Sequence, residues 1–242
     1  MNEGERKIAA DSLRPVQIVV DYQKHPVASV LMQAGSTRVL CAVGVESRVP
    51  PWMRAQNVPG GWLTAEYQML PSSTPQRGQR EAAQGRLGGR TQEIQRLIGR
   101  SLRAMIDLEK IGRNTLHIDC DVVDADGGTR CASVTGAAVA VELAVRRLLA
   151  LGELKEWPLR ERVAAVSVGM VGGVPVLDLC YEEDVAAAVD MNVVMTSGGR
   201  LIEVQATAES ENFGRSDLQA MLDLAERGIR ELFAIQDRAL AN

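Results

Sequence analysis

Two segments of this sequence carry the residue types that hold an anion, and a third carries those that hold a cation. The first is Asp124-Ala-Asp-Gly-Gly-Thr-Arg130. Gly127 and Gly128 permit backbone shapes that turn successive N–H groups inward. A helix predicted to begin near Cys131 adds its positive end at the same point. Thr129 contributes a hydroxyl, and Arg130 a planar fork suited to two phosphate oxygens. The Gly-x-x-x-x-Gly-Lys framework of a Walker A loop is absent. The same residues also satisfy an ordinary Gly-Gly turn with a capping threonine, and the local sequence leaves both readings open. The second segment is Gly85-Arg-Leu-Gly-Gly-Arg90. Arg90 stands at the start of a predicted helix, where a cation is unfavourable and a bound anion would relieve the penalty. The third is acidic. Glu182, Glu183, Asp184 and Asp190 fall within nine positions, with Asp178 just upstream. Two carboxylates beside a phosphate site suit magnesium or manganese, or one of them keeps a proton and acts as general acid. The run Val185-Ala-Ala-Ala-Val189 between them argues against a merely solvated loop.

The formal net charge is −4, which excludes a protein that coats nucleic acid over its whole surface. The distribution is uneven. Seven arginines lie between Arg77 and Arg103 against two acids, Glu81 and Glu93, so a local anionic partner is expected. The two histidines, His25 and His117, are far apart, and the four cysteines have no Cys-x-x-Cys spacing. A zinc cluster is therefore not expected, and reduced thiols are. Neither Cys41 nor Cys131 has a histidine near it in sequence, so no covalent nucleophile stands out. His117 reads as structural. Trp52 and Trp62, which flank a Pro/Gly loop, read as packing residues.

The elements that must position these groups change period along the chain. Val16–Val20, Val27–Met32 and Thr37–Val45 are short and β-branched, with a turn at Ala34-Gly-Ser36. Residues 49–61 form an irregular Pro/Gly excursion before a short strand near Leu63–Met69. From Arg90 the apolar spacing becomes helical and runs to about Gly112. A strand at Thr115–Val123, the Gly-Gly loop and a helix from about Cys131 to Ala150 follow. Hairpins are expected over 162–180 and 192–205, separated by the acidic loop 181–190. A last helix spans about Ser216–Ile235. Strands joined by hairpins and interleaved with three long helices imply an α/β or α+β fold with mixed sheets, in a single domain over residues 1–242. Aromatic residues make up only 3%, so the core is aliphatic. No apolar run is long enough to span a membrane, and Met1-Asn-Glu-Gly-Glu-Arg6 lacks a signal-peptide pattern, so a cytoplasmic protein without membrane contact is expected.

Longer runs resemble a known family. Gly89-Arg-Thr-Gln-Glu-Ile-Gln-Arg96, Ile118-Asp-Cys-Asp-Val-Val123 with the loop that follows, and Ala132-Ser-Val-Thr-Gly136 resemble bacterial ribonuclease PH. So, in order, do Leu13-Arg-Pro-Val16, Trp62-Leu-Thr-Ala-Glu-Tyr67, Asp190-Met-Asn-Val-Val-Met-Thr196 and Ile202-Glu-Val-Gln205. The resemblance implies a ribosomal-protein-S5-like β-α-β fold, assembled as a homohexamer, a trimer of dimers. It implies phosphate-dependent 3′-to-5′ trimming of transfer RNA precursors and other RNA 3′ ends, with release of nucleoside 5′-diphosphates and a reverse addition reaction. It places inorganic phosphate on Arg90, Gly128, Thr129 and Arg130. It places Mg2+ and catalysis on Asp184 and Asp190, and RNA contacts on Arg77 and Arg80. The chain departs from the family pattern at Ser72, where arginine is frequent, and in the longer segment 55–61. Two other outcomes fit parts of the pattern: a catalytically inactive ring subunit, and a hydrolytic exoribonuclease using metal-bound water.

Overall fold

A computed structural model of the chain describes residues 8–241. The opening residues 1–7, on which the signal-peptide reading rests, lie outside the described residues. Among the described residues, nine strands form two sheets and five α-helices accompany them. Strands β1 (Val16–Val20), β2 (Ala28–Ala34), β3 (Thr37–Glu46), β4 (Trp62–Met69) and β5 (Thr115–Asp124) form the first, in the order β1-β2-β3-β5-β4. It is mixed. β4 runs parallel to β5 and the other pairs are antiparallel. The parallel pair needs a crossover, which α2 (Gly89–Met105) supplies. The second sheet is antiparallel throughout: β6 (Val163–Val171), β7 (Val174–Leu177), β8 (Val189–Thr196) and β9 (Leu201–Ala208), in the order β7-β6-β8-β9.

The helix α3 (Thr129–Ala150) joins the two sheets, packing on β2 and β3 of the first and on β6 of the second. Residues 131–142 are all buried, so this helix has no solvent face over three turns. Its small residues set the spacing. A Cβ on Gly136 would lie 2.7 Å from Met32 Cβ and 3.0 Å from Cys41 Sγ. The final helix α5 (Arg215–Ala241) covers the second sheet through Met221, Ala225, Ile229 and Leu232. The core is aliphatic, with Met32, Leu63, Ile94, Leu97, Ile98 and Ile118 fully buried. No helix among the described residues is long and apolar enough to cross a membrane.

Several expected boundaries move for physical reasons. The Pro/Gly excursion contains a short helix, α1 (Pro51–Ala55), opened by a proline at its first position, where a missing N–H costs nothing. Helix α2 ends at Met105 instead of near Gly112. There Ile106 turns extended and bridges Leu159, and Arg160 N donates to Met105 O at 2.8 Å. The expected acidic loop 181–190 is a short helix, α4 (Tyr181–Ala186), followed directly by β8. Cys180 N donates to Glu183 Oε2 at 3.0 Å, which closes a capping box. Helix α5 runs six residues past its expected end because its last turns are buried. Gln236 Nε2 donates to the carbonyls of Thr135 and Val163, and Arg146 Nη1 to Leu240 O.

Candidate active site

The N-terminus of α3 is the fixed point of the site. Gly127 and Gly128 both lie at positive φ, +72° and +65°. At Gly127 a Cβ would stand 2.3 Å from Leu179 O, so only glycine allows the loop to approach the second sheet. The loop is held from both sides. Thr37 Oγ1 accepts from Asp126 N at 2.9 Å and donates to Gly127 O at 2.6 Å. Beneath it, Arg14 donates to Asp126 O and, through Nη2, to Asp178 Oδ1 at 2.8 Å. Gly128 is the residue ahead of the first turn and offers no side-chain cap, so the first N–H groups of α3 face outward without one.

Around this helix end stand the expected anion-binding residues. Thr129 is buried, and its hydroxyl lies 2.9 Å from the Tyr67 hydroxyl of β4. Burial pushes the Tyr67 phenol upward; the Thr129 hydrogen bond and the charges of Arg90 and Arg130 pull it back. Both arginines therefore act on one hydroxyl, although one belongs to α2 and the other to α3. Arg130 is anchored through Nη1, which lies 3.0 Å from Gln205 Oε1 and 3.4 Å from Glu93 Oε2. Arg90 is exposed on the first turn of α2. Arg90 has a built-in anion near it as well as room for an external one. Glu81 already supplies an anion there, accepting from Gly88 N at 3.0 Å and from Thr91 Oγ1 at 2.8 Å.

The carboxylates come from two elements instead of one loop, Asp184 from α4 and Asp190 from β8. They still act on each other. Burial pushes the Asp190 carboxyl up, the charge of Asp184 adds to the effect, and Arg130 opposes it. Asn192 Nδ2 donates to Asp190 Oδ2 at 3.3 Å, and the amide carbonyl of Asn192 accepts from Cys131 at 3.2 Å. The other acids of the cluster are committed elsewhere, Asp178 to Arg14 and Glu183 to the cap of α4. The apolar run that argued against a merely solvated loop is only partly buried. Val185 is 68% exposed, and only Ala187 and Val189 turn inward. No group of three or more Asp, Glu, His or Cys among the described residues is arranged around a metal. Asp184 is exposed on α4 and its charge reaches the half-buried Asp190; the donor type fits Mg2+, which takes one or two carboxylates and completes its shell with water and phosphate oxygens.

Arg77 and Arg80 are exposed on the segment between β4 and α2. Arg80 acts on Asp121, which alternates with Cys120 and so faces away from Tyr67 and the cradle. Arg80 thus acts on the face of the first sheet opposite Tyr67. Sequence reasoning missed Tyr67, Gln205, Glu93, Asn192 and the Arg14–Asp178 pair. Only Glu93 carried a local signal, one helical turn after Arg90. Trp52 and Trp62 pack edge to face at 5.2 Å with Arg103 over Trp62.

A β-α-β unit and an antiparallel sheet, both converging on the arginine-flanked end of a central helix, define a class of phosphate-handling proteins. The chain belongs to the 3′ exoribonuclease family: its sequence matches domain 1 of that family over residues 12–146 and domain 2 over residues 161–228. It is 52% identical over 243 aligned residues to the ribonuclease PH of Halalkalibacterium halodurans, an alignment covering 99% of this chain and 92% of that one. The fold is shared with rice (Oryza sativa) Rrp46, at a TM-score of 0.79 and 16% identity over 98% of this chain and 99% of that one. It is shared equally with a chain of the Archaeoglobus fulgidus exosome with RNA bound to the active site, at a TM-score of 0.77 and 19% identity over 94% and 90%.

Proposed function

We propose that this chain is a phosphate-dependent 3′-to-5′ exoribonuclease that trims the 3′ ends of transfer RNA precursors and runs in reverse as a nucleotidyltransferase. The carrying observation is the convergence of Arg90, Arg130 and the uncapped start of α3 on the Tyr67–Thr129 hydroxyl pair, with Asp190 within reach of Arg130's charge. Its relative at 52% identity, the ribonuclease PH, supports the same reading.

Phosphorolysis requires inorganic phosphate to be held beside the phosphodiester it attacks, although both are anions. Arg90, Arg130, the N–H groups at Gly128 and the Thr129 hydroxyl offset that repulsion and orient the nucleophile. A phosphate oxygen attacks the terminal phosphorus, the bond from phosphorus to the 3′ oxygen breaks, and that oxygen takes up a proton. The product is a nucleoside 5′-diphosphate and an RNA one residue shorter. Asp184 and Asp190 would hold Mg2+, with Mn2+ as a substitute, which supplies charge stabilisation at the phosphoryl oxygens when bound. In the alternative role, Asp184 keeps a proton and gives it to the leaving oxygen in place of holding the metal. Arg77 and Arg80, exposed and basic, contact RNA at a distance from the cradle. The working assembly is a cytoplasmic homohexamer built as a trimer of dimers.

The test is incubation of a 3′-extended transfer RNA with Mg2+, with and without phosphate. Diphosphate products that require phosphate are expected, and Arg90→Ala or Arg130→Ala should each cut turnover on the order of a hundredfold. Monophosphate products without added phosphate would mean hydrolysis. No turnover from a folded chain would mean an inactive ring subunit.

A further inference from the structure

The guanidinium of Arg130 is held in a way that the family reading does not require. Its Nη1 donates to Gln205 Oε1 at 3.0 Å, and among the described residues Nη1 is the donor engaged. The Gln205 amide has little freedom to turn over. Its Nε2 donates to Glu93 Oε1 at 3.1 Å and to Glu203 Oε1 at 3.2 Å, and a flip would set that amino group against the guanidinium. Glu203 is fixed in turn, because its Oε2 accepts from Arg100 Nε at 2.7 Å. Three elements thus meet in one chain of polar contacts: α2 gives Glu93 and Arg100, β9 gives Glu203 and Gln205, and α3 gives Arg130.

We infer that Gln205 is a positioning residue for inorganic phosphate, resting on the proposed phosphorolytic function. Its amide carbonyl anchors one corner of the Arg130 fork and leaves the other donors aimed at the cradle. The residue type matters. Glu93 contacts the same nitrogen at 3.4 Å and already draws on the positive charge. A second carboxylate at position 205 would compete with phosphate for Arg130, whereas a neutral amide orients the fork and leaves its charge available. Gln205 lies directly across from Asn192 in the β8–β9 register, so one cross-strand amide pair serves both sides of the site. Asn192 orients Asp190, and Gln205 orients Arg130.

The experiment measures steady-state kinetics of phosphorolysis in full-length Gln205→Met and Gln205→Glu, varying phosphate and RNA separately. Methionine keeps the length and removes the hydrogen bond; glutamate keeps the acceptor and adds charge. Each variant should raise the phosphate KM roughly tenfold or more, with the RNA KM changed less than twofold. In an Arg130→Lys background, which lacks the fork, Gln205→Met should add little further loss. Gln205 sits half-buried on an edge strand, and thermal melting confirms that each variant is folded before its kinetics are read. A phosphate KM within twofold of the unmodified protein in both variants overturns the assignment. So does an equal loss in the Arg130→Lys background. If the unmodified protein shows no phosphate dependence, the failure belongs to the proposed function instead.

Discussion

Arg14 and Asp178 stand 164 positions apart in sequence, yet their side chains, each 8% exposed, meet at 2.8 Å beneath the Gly127–Gly128 loop. Asp178 Oδ2 also accepts from the backbone N–H of Arg14 at 3.0 Å. Burial alone would lower the Arg14 pKa; the hydrogen bond and charge of Asp178, with help from Asp126, more than offset it and hold the guanidinium charged. Such a pair costs heavily when half of it is removed, because the remaining charge stays buried. Asp178 adopts φ of +54°, a conformation that asparagine also tolerates. Asp178→Asn therefore keeps shape and backbone while deleting the charge. It should lower the unfolding free energy by about 3–5 kcal/mol, read from urea denaturation. A loss under about 1 kcal/mol would mean that Asp126, 3.8 Å from Nη1, already neutralises Arg14. The sequence carried no sign of this pair. Leu13-Arg-Pro-Val16 reads only as one run of the family resemblance and Asp178 as one more acid, and the fold shows that they support the loop on which Thr129 and Arg130 are carried.

At the scale of elements, legibility followed the local signal. The first-sheet strands were readable to within a residue or two because β-branched runs bounded by turn residues carry their own pattern, as Thr37–Glu46 does after the Gly35 turn. The start of α3 was misplaced by two residues. That shift matters, since it puts Thr129 and Arg130 in the first turn instead of before it. Elements set by distant partners were not readable. The end of α2 depends on the strand-like contact of Ile106 with Leu159, whereas α4 rests on a local signal, the capping box of Glu183 with Cys180, which the acidic run concealed. The closeness of α3 to the first sheet is likewise a property of packing, and Gly136 tests it. Alanine there gains about 1 kcal/mol of helix propensity. Its Cβ would meet Met32 Cβ at 2.7 Å, an atom that no rotamer change can move. Overpacking of this kind costs about 1–3 kcal/mol, so the clash should win. Gly136→Ala is expected to melt several degrees below the unmodified protein in a thermal scan. An unchanged or higher melting temperature would show that the helix and sheet can separate without cost.

Across the whole molecule, the site draws on both sheets and on the helix between them. Tyr67 comes from the first sheet, Asp190 and Gln205 from the second, and Arg130 from α3. This construction lets an acidic chain of net charge −4 hold anions, because the fold brings Arg130 of α3 and Arg90 of α2 to act on the same Tyr67 hydroxyl. It also leaves surface unaccounted for by a single chain. Strand β9 lies at the open edge of its sheet, with Leu201 55% exposed and Val204 also outward. β4 forms an open edge of the first sheet, and the charge of Arg80 is directed to the outer face of that sheet, away from its own cradle. Apolar side chains along an unpaired edge invite pairing with another chain, and a closed ring satisfies every such edge without leaving a terminal one. The proposed hexamer predicts a light-scattering mass of six chains of 26.2 kDa at micromolar concentration. Dilution should lower the mass in steps through a dimer, and transfer RNA trimming should fall with the hexamer while cleavage of a short oligonucleotide persists, because each chain holds its own Arg90, Arg130, Asp184 and Asp190. A protein that scatters as a 26.2 kDa monomer yet trims transfer RNA at full rate would overturn the assembly and leave the chemistry of the site standing.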